Sequence, residues 1–223
     1  MATPIHVHQP DAADARSLSD RAYFAIRGLI VSLELAPGTI INEPELMARL
    51  GLGRTPVREA LRALMRERLV DVYPRRGMFV SSVDVRDLAG LSEVRLAIET
   101  AAARLAAERA TAEDRAVCGV LLDELERVAG EHDERALIEL DQRIHRHVYR
   151  CTHNEFLERT LEEYYVLTLR IWFLALERVA RLDAAVAEHR DLLRAIRDGK
   201  AERAETVMRR HVAGFERAIR DVL

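Results

Sequence analysis

Apolar positions in the first third of the chain recur at three- and four-residue steps. Near residue 69 they shift to every second residue, and from residue 84 they return to the helical period. Tyr23, Ile26, Ile30 and Leu33 mark a helix over 18–33, and Ala36-Pro37-Gly38-Thr39 marks a turn. A short helix over 45–50 turns Leu46 and Leu50 inward and ends at Gly51. Next comes GRTPVREAL at 53–61, where Pro56 stands in the path of a stripe made by Val57, Ala60, Leu61 and Leu64. A proline inside a helix breaks it. Stripe and proline agree only if Pro56 lies in the first turn, where its missing N–H costs nothing. Thr55 is then placed to cap this helix, which runs to about Arg68. Leu69-Val70-Asp71-Val72-Tyr73 alternates like a strand, Pro74-Arg75-Arg76-Gly77 is a basic turn, and Met78-Phe79-Val80 is a second strand. Three helices and a hairpin in this order outline a winged helix-turn-helix.

Beyond residue 84 the pattern predicts helices at about 84–109, 112–129, 134–151, 155–177, 179–198 and 201–221. Asp84 is placed to cap the first, while Gly130 and Gly199 punctuate later ends. Six amphipathic helices with short connections make an antiparallel bundle. The expected fold is therefore mainly α, a winged helix-turn-helix followed by a bundle of about six helices. The bundle helices are not copies of one another.

Composition sharpens this division. Residues 17–80 hold ten Arg against seven Asp and Glu, a surplus of three, and residues 1–16 hold one Arg against two Asp. With an overall charge of −3, residues 81–223 carry a deficit of five. The expected organisation is a mobile tail at 1–16, a basic module at 17–80 and a larger acidic module at 81–223. Lys200 is the only lysine, and nearly all basic residues are arginine. Cys118 and Cys151 stand apart with no CxxC, which fits a reduced, cytoplasmic compartment better than a disulfide scaffold. No apolar run approaches the roughly 18 residues of a membrane span; the stretch 166–176 is short and interrupted by Arg170. The N-terminus lacks the basic and apolar regions of a signal peptide.

Arg54 and Arg58 lie four apart and share a face away from the apolar stripe, with Arg62 one turn further. A helix fits the major groove of double-stranded DNA, and arginine can grip guanine O6 and N7 with two hydrogen bonds. Arg54, Thr55 and Arg58 occupy the helix end that meets base edges in helix-turn-helix proteins. Arg62 can reach a base or a phosphate, and Arg75, Arg76 and Gly77 form a wing tip able to approach the backbone or the narrow groove. Arginines on a polar helix face are ordinarily only solvated. The spacing, the proline in the first turn, the preceding short helix and the basic hairpin turn together favour the groove reading.

In the bundle, Asp141 and His145 share one helix face, and His189 and His211 can come level across the Gly199 turn. Four such donors from three helices suit one divalent transition metal, Zn first, with Ni, Fe or Mn as alternatives. Each histidine alone reads equally as an ordinary core or surface residue, and spacing leaves both readings open. His132, His147 and His153 read as surface or capping residues. Arg170, inside an apolar stretch, needs a partner and is a candidate for holding an anionic ligand.

The stretches LMARLGLGRTPVREALRALMRERLV and YPRRGMFV closely resemble the DNA-binding pattern of the GntR family of bacterial transcription regulators. Two departures stand out: Gly53 where the pattern has Ser or Thr, and Arg68 where it has the glycine that ends the recognition helix. The stretches DQRIHRHVYRCTHNEFL and EHRDLLRAIRDGKAERAETVMRRH resemble the all-helical FCD effector domain of one branch of that family, over roughly 85–220. The resemblance implies that Asp141, His145, His189 and His211 ligate one metal per chain and that the metal helps hold a small organic acid. It implies a cavity role for Arg95, whose other reading is a salt bridge to Glu99 on a solvent face. It implies a lining role for Asn154, which reads equally as a helix cap.

The expected function is then a cytoplasmic regulator, a homodimer on a near-palindromic DNA operator, controlled by a metal-held carboxylate and without membrane contact. Two rivals remain at this level. A metal-dependent enzyme acting on an organic acid would use the same ligands, but no general base like the Glu of HExxH stands beside them. An architectural DNA-binding protein would use the bundle only to dimerise and would need neither metal nor effector.

Overall fold

The computed structural model describes residues 17–84, 86–131, 134–175 and 182–221. The expected tail and His132 lie outside them. The chain forms two compact units, Met1–Asp84 with Leu169–Leu174, and Val85–Thr168 with Ala175–Leu223.

The first unit contains α1 (Leu18–Val31), α2 (Glu43–Leu50), α3 (Arg54–Arg66), β1 (Val70–Tyr73) and β2 (Gly77–Val80). A capping box opens α1: Ser17 Oγ accepts from Asp20 N, and Asp20 Oδ2 accepts from Ser17 N, both at 3.0 Å. Asn42 caps α2, which starts two residues earlier than the periodicity suggests and carries Pro44 in its first turn. Gly51, at φ +63°, ends it. Pro56 does lie in the first turn of α3, but the N-cap is Gly53 and no side chain caps the helix. Thr55 is therefore already inside the first turn, and the capping role expected of it falls away. Val57, Ala60, Leu61 and Leu64 are buried, as are Ala22, Ile26 and Ile30 of α1, which packs along α3.

The end of α3 keeps its closing geometry without glycine. Arg68 sits at φ +60°, Leu69 N donates to Leu64 O at 2.9 Å, and Arg68 N donates to Met65 O at 3.2 Å. These are the two bonds of a Schellman motif. Next, β1 and β2 pair antiparallel from Val70↔Val80 to Tyr73↔Gly77. Arg75 (φ +63°) and Gly77 (φ +103°) turn the chain. The free edge of β2 is met by the segment after α1: Val80 N donates to Thr39 O at 2.9 Å and Ile41 N to Met78 O at 2.8 Å. Periodicity gives no hint of this third edge.

The second unit is a helical bundle built on α4 (Asp87–Arg109), α5 (Ala112–Glu131), α6 (Glu134–Arg150), α7 (Glu155–Ala175), α8 (Leu182–Arg197) and α9 (Ala201–Arg220), with Leu169–Leu174 of α7 assigned to the first unit. Helix α4 begins at Asp87 with Arg86 at its N-cap position, so Asp84 is not the cap. Gly130 lies inside the last turn of α5 and does not end it. Gly199 does mark a turn, at φ +69°. There the Arg115 guanidinium of α5 donates to Arg197 O at 2.6 Å, and a Cβ on Gly199 would lie 3.2 Å from it. Helix α4 buries the alanine stripe Ala102, Ala103, Ala106 and Ala107 and packs along α9, while α5 packs against α8.

Candidate functional site

Arg54, Thr55, Arg58 and Arg62 are exposed on α3, opposite its buried stripe, and Arg75, Arg76 and Gly77 are exposed at the hairpin turn. Arg54, Arg62, Arg75 and Arg76 make no ion pair among the described residues. Arg58 differs: its Nε donates to Glu43 Oε2 of α2 at 2.7 Å, and this bond raises the guanidinium pKa further.

The second unit brings four donors together. One ligand atom from each of Asp141, His145, His189 and His211 lies within 4.8 Å of the others. Helix α6 supplies the first two, one turn apart, α8 supplies His189 and α9 supplies His211. Their neighbours decide which ring nitrogens are available. His145 Nδ1 faces Glu99 Oε2 at 3.3 Å. Burial alone would raise the Glu99 pKa, but Arg95 and His145 more than offset it and bring the carboxyl down to about 2. The Tyr149 hydroxyl lies at the same distance, 3.3 Å, from His145 Nδ1, and Glu99 Oε2 itself is buried without a hydrogen bond. His211 Nδ1 stands 3.0 Å from Glu188 Oε2. The Nε2 atoms of His145 and His211 face each other at 3.2 Å. His189 Nε2 is buried without a hydrogen bond, 3.2 Å from Asp141 Oδ1, while Asp141 Oδ2 accepts from the Tyr165 hydroxyl at 2.8 Å. Burial lowers the pKa of both His189 and His211 and keeps them neutral.

Three imidazoles and a carboxylate, with a ligand atom of each turned toward the others, form a donor set that fits a divalent cation. The carboxylates behind His145 and His211 are the outer partners that fix tautomer and raise ligand basicity in such centres. Glu188 and Tyr165 are not singled out from the sequence, and Glu99 is named there only as a partner of Arg95. Two signals were there: Glu99 stands four residues after Arg95, and Glu188 directly precedes His189.

The remaining candidates fall in different places. Arg95 is buried rather than on a solvent face. It pairs with Glu99 and lies over the rings of Tyr165 (6.0 Å) and Phe215 (5.5 Å). Arg170 is also buried, but two of its amino groups donate to Ser81, to Oγ and to the carbonyl oxygen, each at 2.6 Å. Its Nε makes no hydrogen bond, and burial lowers its pKa to about 10. Asn154 caps α7: its Oδ1 accepts from the backbone of Phe156 at 3.1 Å and Leu157 at 3.2 Å. His147 is buried, not a surface residue, with Nε2 at 3.0 Å from Asp114 O. The two cysteines, unrelated by spacing, both meet that nitrogen, each Sγ at 3.4 Å. Exposed His153 pairs with Asp114 at 2.8 Å.

The sequence matches the family described as bacterial regulatory proteins, gntR family, over residues 18–80, and the FCD domain over residues 90–214. A transcriptional regulator from an unstable DNA locus of Streptomyces ambofaciens is 35% identical over 192 residues, covering 85% of this chain and 80% of that protein. The galactonate operon transcriptional repressor of Escherichia coli K12 is 29% identical over 234 residues, covering 92% and 97%. Among solved structures, E. coli McbR/YncC superposes with a TM-score of 0.77 at 24% identity, over 90% of this chain and 98% of that one, a likeness of fold. No described helix is long and apolar enough to cross a membrane. On its helix-turn-helix with a hairpin wing, its helical second unit and these matches, the chain belongs to the GntR family of bacterial transcription regulators, in the branch that carries an FCD domain.

Proposed function

We propose that this regulator binds a near-palindromic operator as a homodimer, reading it with α3 and the wing. In the bundle, Asp141, His145, His189 and His211 hold one divalent transition metal per chain, zinc foremost, and a small organic acid binds beside it. The observation that carries the effector half is the convergence of the four donors, with the Nε2 atoms of His145 and His211 3.2 Å apart. When bound, the metal supplies a Lewis-acidic centre for a carboxylate. The chain's own residues do the rest. Glu188 holds the His211 ring, Glu99 and Tyr149 flank Nδ1 of His145, Tyr165 orients Asp141, and Arg95 places a cation among aromatic faces in the same core. An entering carboxylate can share Arg95 with Glu99. The effector changes operator affinity to the extent that it binds two arrangements of the protein unequally. The name of the galactonate operon relative makes sugar acids the first compounds to screen.

Elemental analysis of the purified protein tests the centre. About one transition metal per chain is expected, with loss in Asp141→Ala and His211→Ala. A wild type that stays empty after reloading overturns the centre and leaves the groove reading standing. The groove reading has its own test: Arg58→Ala is expected to lose operator preference while remaining folded.

A further inference from the structure

Among the arginines of the proposed DNA face, Arg58 is the one held by a carboxylate. Glu43, the first residue of α2, is its partner, through Nε at 2.7 Å. The Glu43 side chain is 18% exposed and that of Arg58 is 50% exposed, so the carboxylate is the more firmly seated of the two. Its backbone is fixed as well: Asn42 caps the helix immediately before it and Pro44 follows.

As a surface ion pair this contact would contribute little to stability. Near phosphates a carboxylate also opposes binding. Its geometry offers a different use. The Nε–H lies on one side of the guanidinium, and a bond there leaves both terminal amino groups side by side. That end-on pair matches guanine O6 and N7. An arginine already held in this orientation has less rotamer freedom to lose on meeting the base.

We propose that Glu43 is a specificity-determining positioning residue, which holds Arg58 by its Nε so that the two terminal amino groups reach a guanine edge together. The inference rests on α3 being the groove helix, and it makes Glu43 act on the choice of sequence rather than on affinity for DNA in general.

The full-length protein first selects a duplex from a randomised pool. Binding to that duplex and to a scrambled one is then measured for wild type, Glu43→Ala, Glu43→Gln, Arg58→Ala and the Glu43→Ala/Arg58→Ala double variant, together with melting temperatures and salt dependence. Glu43→Ala is expected to lower the selected-to-scrambled ratio about tenfold, with scrambled binding unchanged or slightly tighter. Glu43→Gln, which keeps an acceptor oxygen, is expected to recover part of the ratio. With Arg58 already removed, the Glu43 change is expected to have no further effect on the ratio.

An unchanged ratio in Glu43→Ala overturns the proposal. So does a parallel loss on both duplexes with a lowered melting temperature, which marks a contact that only holds α2 on α3. A ratio that still falls in the Arg58→Ala background overturns it too, because Glu43 would then act by itself. If Arg58→Ala keeps full preference, or wild type selects nothing, the groove reading itself has failed.

Discussion

Arg68 occupies a left-handed backbone conformation, at φ +60°, that glycine adopts without strain and other L-residues adopt at a cost of roughly 1–2 kcal/mol. Gly51, at φ +63°, closes α2 in the conformation that suits it. At the end of α3 the two Schellman bonds and the burial of Leu69 hold Arg68 in place. Arg68→Gly is therefore expected to raise stability by about 0.5–1 kcal/mol, part of the relief being lost to the freer unfolded chain. A higher urea midpoint at unchanged slope checks this; a lower midpoint would mean the exposed side chain contributes more than its backbone costs. At this scale the four converging residues, Asp141, His145, His189 and His211, were named from the sequence, although spacing alone left each histidine open. Glu188 and Tyr165 were not named, and Glu99 only as the partner of Arg95. A polar side chain on a buried face looks like a solvated one until a partner helix is laid against it, and here the partners are Arg95, His145, His211 and Asp141. Arg95 shows the same ambiguity: the pair with Glu99 was foreseen, but its burial against Tyr165 and Phe215 depends on helices far away in sequence.

At the scale of elements, the hairpin turn is a compact cationic tip. Its arginines are exposed and its backbone is held by the Arg76 N to Tyr73 O bond at 3.0 Å. Phosphate contacts made by such a tip carry no sequence information and release counterions. Replacing Arg75 and Arg76 together by Ala is expected to weaken binding to all duplexes alike and to flatten the slope of log K against log salt by about two. An unchanged slope would place the wing off the DNA. The existence and order of the elements were readable because the apolar period is strong. Their ends were less so, because local side-chain bonds decide them. Asn42 starts α2 early, Gly53 rather than Thr55 stands at the α3 cap, and Asp84 stands short of α4. The pairing of β2 with Thr39–Ile41 was hidden because an isolated bridge, Ile40↔Phe79, has no alternation to read.

At the scale of the whole molecule, the proposed centre would tie α6, α8 and α9 at one point, so the stability of the second unit becomes linked to metal supply. At a free metal concentration 100-fold above its dissociation constant, binding contributes about 2.7 kcal/mol. Stripping with EDTA is then expected to lower the melting temperature by about 5–10 °C, with recovery on adding zinc and no response in His211→Ala. A melting temperature indifferent to EDTA and zinc would separate the bundle's stability from the four donors. The turn between α8 and α9 bears on the same unit. Lys200 lies there, with its side chain 67% exposed, and it is the only lysine in the sequence. A lysine-specific endoprotease thus has one peptide bond to attack, and a single cut there releases the segment bearing His211 from the rest of the chain. The bundle would become a noncovalent complex between a long fragment and a short peptide, whose rate of parting reports how firmly the last helix is held.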